Sequence, residues 1–136
     1  MATSTVLSNP VVKIGAVDLS DQCTSATLSQ KIQNLQANAF GSTAIAYVGG
    51  LQDNTLSLDL YWSTAASETY ATLKSLVGTV ITTVTIQGSS AATSATNPIG
   101  TLTGSYLSEL PIVYSLGELT KCTIQLMGGT FAWTEV

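Results

Sequence analysis

The chain has 136 residues, enough for one hydrophobic core and too few for two. Apolar residues make up 45% and charged residues 9%, against about 25% charged in ordinary globular chains; that apolar content excludes a disordered chain. Four lysines, no arginine and no histidine remove the His-based triads, the commonest metal ligand and the guanidinium fork used on phosphates. A net charge of −4 argues against an electrostatic grip on nucleic acid.

Residues 1–10 read as a polar arm ending at Pro10, and residues 11–136 as a single domain. The first residues carry no basic region followed by an apolar block, so no secretory signal is expected. No apolar run reaches the roughly 18 to 20 residues of a membrane helix, so no membrane partner is expected either. Val11, Val12 and Ile14 predict the first strand. Asp18 and Asp21 form the one close acidic pair, in D-L-S-D, a turn sequence with too few oxygen ligands for calcium. Cys23 and Cys122 are far apart in sequence and read as free structural thiols.

From 25 to 39 the chain is strand-like, with Ala26, Leu28 and Ile32 in one register and Leu35 and Ala37 in the other. The slip around Gln33 predicts a bulge. The polar side chains here are amides, Gln30, Gln33, Asn34, Gln36 and Asn38, with Lys31 the one charge. A monomer guards a long edge strand with charge or proline. Amides instead suit a strand that lies beside a neighbouring subunit or lines a channel; the plainer alternative is an ordinary solvent-facing strand. Residues 41–50 follow as a glycine-bounded loop carrying Ile45, Tyr47 and Val48, apolar residues that predict an inter-subunit contact.

Leu56, Leu58, Leu60 and Trp62 alternate with Ser57, Asp59 and Tyr61, the period of a half-buried strand. Residues 63–77 predict a helix, with Tyr70, Leu73, Leu76 and Val77 as its core-facing stripe and Gly78 as its stop. Val80, Val84 and Ile86 share one parity of the next strand. Residues 88–100 form a loop of small residues, expected to be a further contact surface. Leu102 and Tyr106 mark another strand, Cys122, Ile124 and Leu126 another, and 130–133 a last one. The fold class is mainly β: a β-sandwich or open barrel of six to seven strands with one flanking α-helix at about 63–77.

Catalytic signatures are missing. The sequence holds no G-x-S-x-G elbow, Walker loop, G-x-G-x-x-G or C-x-x-C, and its eight acids are dispersed. No enzyme activity, metal or cofactor is expected. Lys13, Lys31, Lys74 and Lys121 are scattered singly. Trp62 and Trp133 fall at strand positions that predict burial, which leaves Tyr61 as a lone surface aromatic and no stacking platform for nucleic acid.

The order of segments carries a resemblance. V-V-K-I-G-A-V-D-L-S-D-Q-C-T-S-A-T-L at 11–28 is followed by A-F-G at 39–41 and G-G-L-Q-D-N-T-L-S-L-D-L-Y-W at 49–62. After the helix come S-A-T-N-P at 94–98, G-S-Y-L-S-E-L-P at 104–111 and L-G-E-L-T-K-C-T-I-Q-L at 116–126. These segments resemble the small tail-tube proteins of long-tailed bacteriophages, whose fold is similar to that of the type VI secretion tube. Cys23, Cys122 and the uncharged amide stretch depart from the family's pattern. The resemblance implies a virion structural protein, made in the host cytoplasm, that closes into rings, commonly hexameric. The rings stack into a tube through which genome DNA passes without specific binding. It also implies partners such as the tape measure and tail terminator proteins, and an N-terminal arm lying against neighbours. A capsid decoration protein of the same fold is the alternative, and a soluble binding module a further one.

Overall fold

The structure is a computed structural model and describes residues 10–136; the expected arm lies outside the described residues except for Pro10. The strands are β1 (Val11–Ile14), β2 (Val17–Asp18), β3 (Cys23–Ser29), β4 (Ile32–Gln36), β5 (Tyr47–Gln52), β6 (Thr55–Tyr61), β7 (Thr79–Gln87), β8 (Ile99–Leu107), β9 (Ile112–Val113), β10 (Lys121–Met127) and β11 (Thr130–Thr134). One helix, α1 (Thr69–Leu73), lies between β6 and β7.

Nine strands form one antiparallel sheet in the order β2-β1-β7-β8-β10-β6-β3, with β11 added to β8 and β9 to β10. The sheet doubles over into an open sandwich. The fold occurs along β8, whose first half pairs with β11 and whose last two residues pair with β10. Gly104 in β8 and Gly128 and Gly129 between β10 and β11 have positive φ, a conformation open to glycine at little cost. At Gly129 the strands come so close that a Cβ would meet the Thr103 carbonyl oxygen at 2.3 Å.

The corner also inverts side-chain parity. On one side of Gly104 the inward residue of β8 is Leu102; on the other, Ser105 and Leu107 are the buried ones. Its partner β7 changes in step, from Val84 to Ile81. Val80, grouped with Val84 by simple alternation, therefore points outward and is 64% exposed.

The core lies between the two layers. Leu56, Leu58 and Leu60 of β6 and Cys122, Ile124 and Leu126 of β10 face Val12, Ile14, Ile81, Val84 and Leu102. Each fully buried leucine contributes about 1.5 to 3 kcal/mol through removal of apolar surface from water. The helix is five residues long, not fifteen. Of its predicted stripe, Leu73 is fully buried and Leu76 half-buried, while Tyr70 and Val77 are exposed. Thr69 Oγ1 explains the late start: it accepts from the Ser63 N–H at 2.6 Å and lies 3.1 Å from the Tyr61 carbonyl, which holds 61–69 as a loop. Tyr70 turns out to meet Trp62 edge-on, with ring centroids 5.8 Å apart.

Candidate functional site

The strand-like 25–39 segment is two strands. β3 belongs to the main sheet as its edge, and after a break at Gln30 and Lys31 β4 leaves it to pair with β5 alone. Together β3-β4 and β5-β6 make one long ribbon, its root packed in the sandwich and its outer half free. Every residue from 29 to 53 is exposed. The parity slip seen at Gln33 coincides with a register shift between Ile32 and Asn34.

In this outer hairpin Leu35 stands opposite Val48, and Gln36 opposite Tyr47. Directly opposed residues share a face and successive residues alternate. Leu35 and Val48 thus occupy one face and Tyr47 the other, where Ile32 Cγ2 lies over Gly49. Gly50 likewise leaves room for the Gln33 side chain. The hairpin carries apolar side chains on both faces with no core behind either: Ile32 is 55% exposed, Leu35 46%, Tyr47 61%, and Leu51 79%. Ile45 and Val48 are exposed as well.

The amides differ in what they do. Gln30, Gln33, Asn34 and Gln36 are exposed along the ribbon. Asn38 instead closes the tip, its Oδ1 accepting the Ala46 N–H at 2.9 Å beside the Ala37 N–H to Ala46 carbonyl bond. At the root, the buried Asn54 ties the ribbon to the corner: Nδ2 donates to the Gly129 carbonyl at 3.1 Å, and the Gly128 N–H donates to the Asn54 carbonyl at 2.8 Å.

Two further apolar surfaces were not singled out from the sequence. The loop between β9 and β10 exposes Val113, Tyr114, Leu116 and Leu119. Its signal was present, a glycine turn amid apolar residues like the one that marks 41–50, with Glu118 as its one charge. Across the outer face of the sheet, Val80, Tyr106 and Met127 form a register row, each at least 39% exposed; only the parity inversion at Gly104 reveals it. Trp133, expected in the core, is 51% exposed. The 88–100 loop shows no large apolar residue outward; Asn97 Nδ2 knits it to the carbonyls of Ser89, Ala91 and Ala92.

The titratable groups fit a structural surface. Asp18 accepts the Ser20 hydroxyl and its N–H, which hold the carboxyl below its usual value and make the D-L-S-D segment a turn. Among the described residues, no group of three His, Cys, Asp or Glu side chains is placed to hold a metal ion, and no helix is long and apolar enough to cross a membrane.

Outside the ribbon the two outer sheet faces are hydroxyl-rich. One carries Ser25, Thr27, Ser57 and Thr123 around Asp59, whose Oδ1 accepts from Thr123 at 2.8 Å. The other aligns Thr83, Thr103 and Thr130 in one row and Lys13, Thr85 and Thr101 in the next.

The chain has a tail-tube-like fold. It is similar, at 10% identity and a TM-score of 0.72, to a chain of the sheath–tube complex of the PVC extracellular contractile injection system, over 98% of this chain and 93% of that one. A chain of the SPP1 tail tube aligns with 94% of this chain and 76% of its own at 7% identity and a TM-score of 0.71. A chain of a native gene transfer agent virion aligns over 93% of this chain and 95% of its own at 10% identity and a TM-score of 0.69. No protein-family model and no curated protein matches the sequence.

Proposed function

We propose that this protein is the tail-tube subunit of a phage-like particle: a non-catalytic virion component that closes into rings, with six as the expected number, and stacks them into a tube for DNA. Residues 11–136 act as one domain in this role. The observation that carries the reading is the ribbon at 32–52, apolar on both faces and wholly exposed in the isolated chain. A lone subunit has no use for such an element, because monomers rarely show contiguous apolar surface beyond a few hundred Å². Gln36 and its neighbours serve as an inter-subunit edge. The Ala37 N–H bonds to Ala46, so by ladder alternation the Gln36 N–H points away from β5, free to pair with another chain.

The hydroxyl-rich sheet faces support the conduit. A wall of Thr and Ser with few charges gives passing DNA hydration without the phosphate grip that lysine and arginine rows supply. Tape measure, terminator and other tail proteins are the partners of such a tube.

Electron microscopy of the purified protein tests the reading. Stacked rings or tubes are expected; small closed oligomers that bind capsids would establish the decoration role instead. Gln36→Pro removes one outward donor without touching the ribbon's own ladder, and it should leave folded subunits that assemble poorly.

A further inference from the structure

We infer that residues 1–9 act as a strap for their own subunit: the Val6-Leu7 pair closes an apolar slot that the sandwich leaves open beside Trp133. The inference stands without the tube reading. It rests on a stretch of core-facing surface that the described residues leave uncovered.

Two strands meet the slot with inward-facing side chains that nothing covers. Ala26 of β3 stands opposite Leu58, and Leu28 opposite Leu56, so both belong to the core-facing side of their strand. Leu56 and Leu58 are fully buried, yet Ala26 is exposed and Leu28 half-buried. Across the sandwich, Trp133 shares its side of β11 with Phe131, which stands opposite the buried Leu102. The Trp133 ring lies over Gly100, where a Cβ would meet its Cζ3 at 3.2 Å, and it meets Phe131 edge-on. It too faces inward, and it is 51% exposed. Pro10, Val11, Ala26, Ile86, Pro98 and Trp133 border the space between, about 180 Å³ in volume, and no charged side chain lines it. A dry apolar cavity of about 150 Å³ takes a benzene-sized guest, so one aliphatic side chain fits here.

The sequence supplies that side chain close by. Pro10 itself lines the slot, and Leu7 lies three residues before it, within roughly 10 Å along the chain. Residues 1–9 carry no charged side chain, and Val6 and Leu7 are the apolar residues nearest Pro10 among them. A guest tethered this closely competes at an effective concentration on the order of millimolar. That favours the subunit's own segment over a second copy. The family resemblance implies contact between this arm and neighbours; the slot assigns the Val6-Leu7 pair to its own subunit.

Photo-crosslinking tests the assignment. With a photoreactive residue in place of Leu7 in the full chain, illumination should join position 7 to the walls of the slot within one chain. The tryptic peptides expected are 14–31, which holds Ala26, and 122–136, which holds Trp133. Attachment to other peptides, a link between two chains, or no attachment overturns the inference; the link between chains would put the arm on a neighbour instead. Acrylamide quenching supplies a second readout. Leu7→Asp should raise the quenching of Trp133, taken as the difference from the same protein carrying Trp133→Phe, while Leu7→Met should leave it unchanged. Equal quenching in Leu7→Asp and the unaltered protein overturns the inference as well. Protein that forms no tubes sinks the tube reading, while both readouts still report on the slot.

Discussion

Cys23 and Cys122 flank Leu60 from its two sides, each paired with it in register across three adjacent strands. Strands lie about 4.8 Å apart, which places the two α-carbons roughly 10 Å from each other, beyond the reach of a disulfide. Both are free thiols. Burial raises Cys122 to about 11, and burial also raises Cys23 above its ordinary 9.0. A thiol-specific reagent at pH 8 should leave Cys122 unlabelled until denaturant is added. The folded state holds the Cys122 proton more tightly than the unfolded chain does. Its stabilising contribution is therefore full below pH 9 and is lost as pH rises from about 9 to about 11. Urea melts at pH 8 and pH 11 should show that fall, and Cys122→Ala should reduce it.

Asn54 is 2% exposed and holds both the ribbon root and the glycine corner, through Gly129 and through Gln52 Oε1 at 3.0 Å. Replacing it by Leu leaves the part-buried Gly129 carbonyl short of a donor. The expected loss is about 1 to 3 kcal/mol in urea denaturation. Amide exchange at Lys31, whose N–H lies 3.4 Å from Asn54 Oδ1, should quicken more than exchange in β7.

Leu73 is the apolar helix residue fully enclosed by the sandwich. Leu73→Ala should cost about 2 to 5 kcal/mol, the range for a leucine deleted from a close-packed core. Val77→Ala, at a 42% exposed position, should change stability by about 0.5 kcal/mol or less. Equal effects would mean that Val77, past the helix end, packs as closely as Leu73.

Gly129 and Gly117 separate steric from conformational demand. Both have φ near +80°, but a Cβ at Gly117 meets nothing within 4 Å. Gly117→Ala should cost about 1 to 2 kcal/mol from backbone conformation alone. Gly129→Ala should cost clearly more, because the Thr103 carbonyl already fills the space. Melting temperatures of the two variants, measured side by side, check the order.

The β-rich class, the Leu56-to-Trp62 alternation, the bulge near Gln33 and the turn at Asp18 were legible in the sequence because each depends on local periodicity or local hydrogen bonding. The exposure of Ile45, Tyr47 and Val48 was legible because apolar residues between glycines have no period that a core would impose, but the loop expected over 41–50 is strand from Tyr47 onward, since pairing with β4 across the hairpin has no local signature. Tertiary structure alone decided the rest. Val80 faces outward because the corner at Gly104 and Gly129 flips the parity of two paired strands at once, an effect with no local signature. The helix is short because Thr69 binds carbonyls of the preceding loop, and Trp133 is exposed because its strand lies at the sheet's open edge. The ribbon and the 113–119 loop stand at opposite ends because β6 and β10 run antiparallel between them. Sequence spacing cannot express that placement, since it arises from the pairing of segments far apart in the chain.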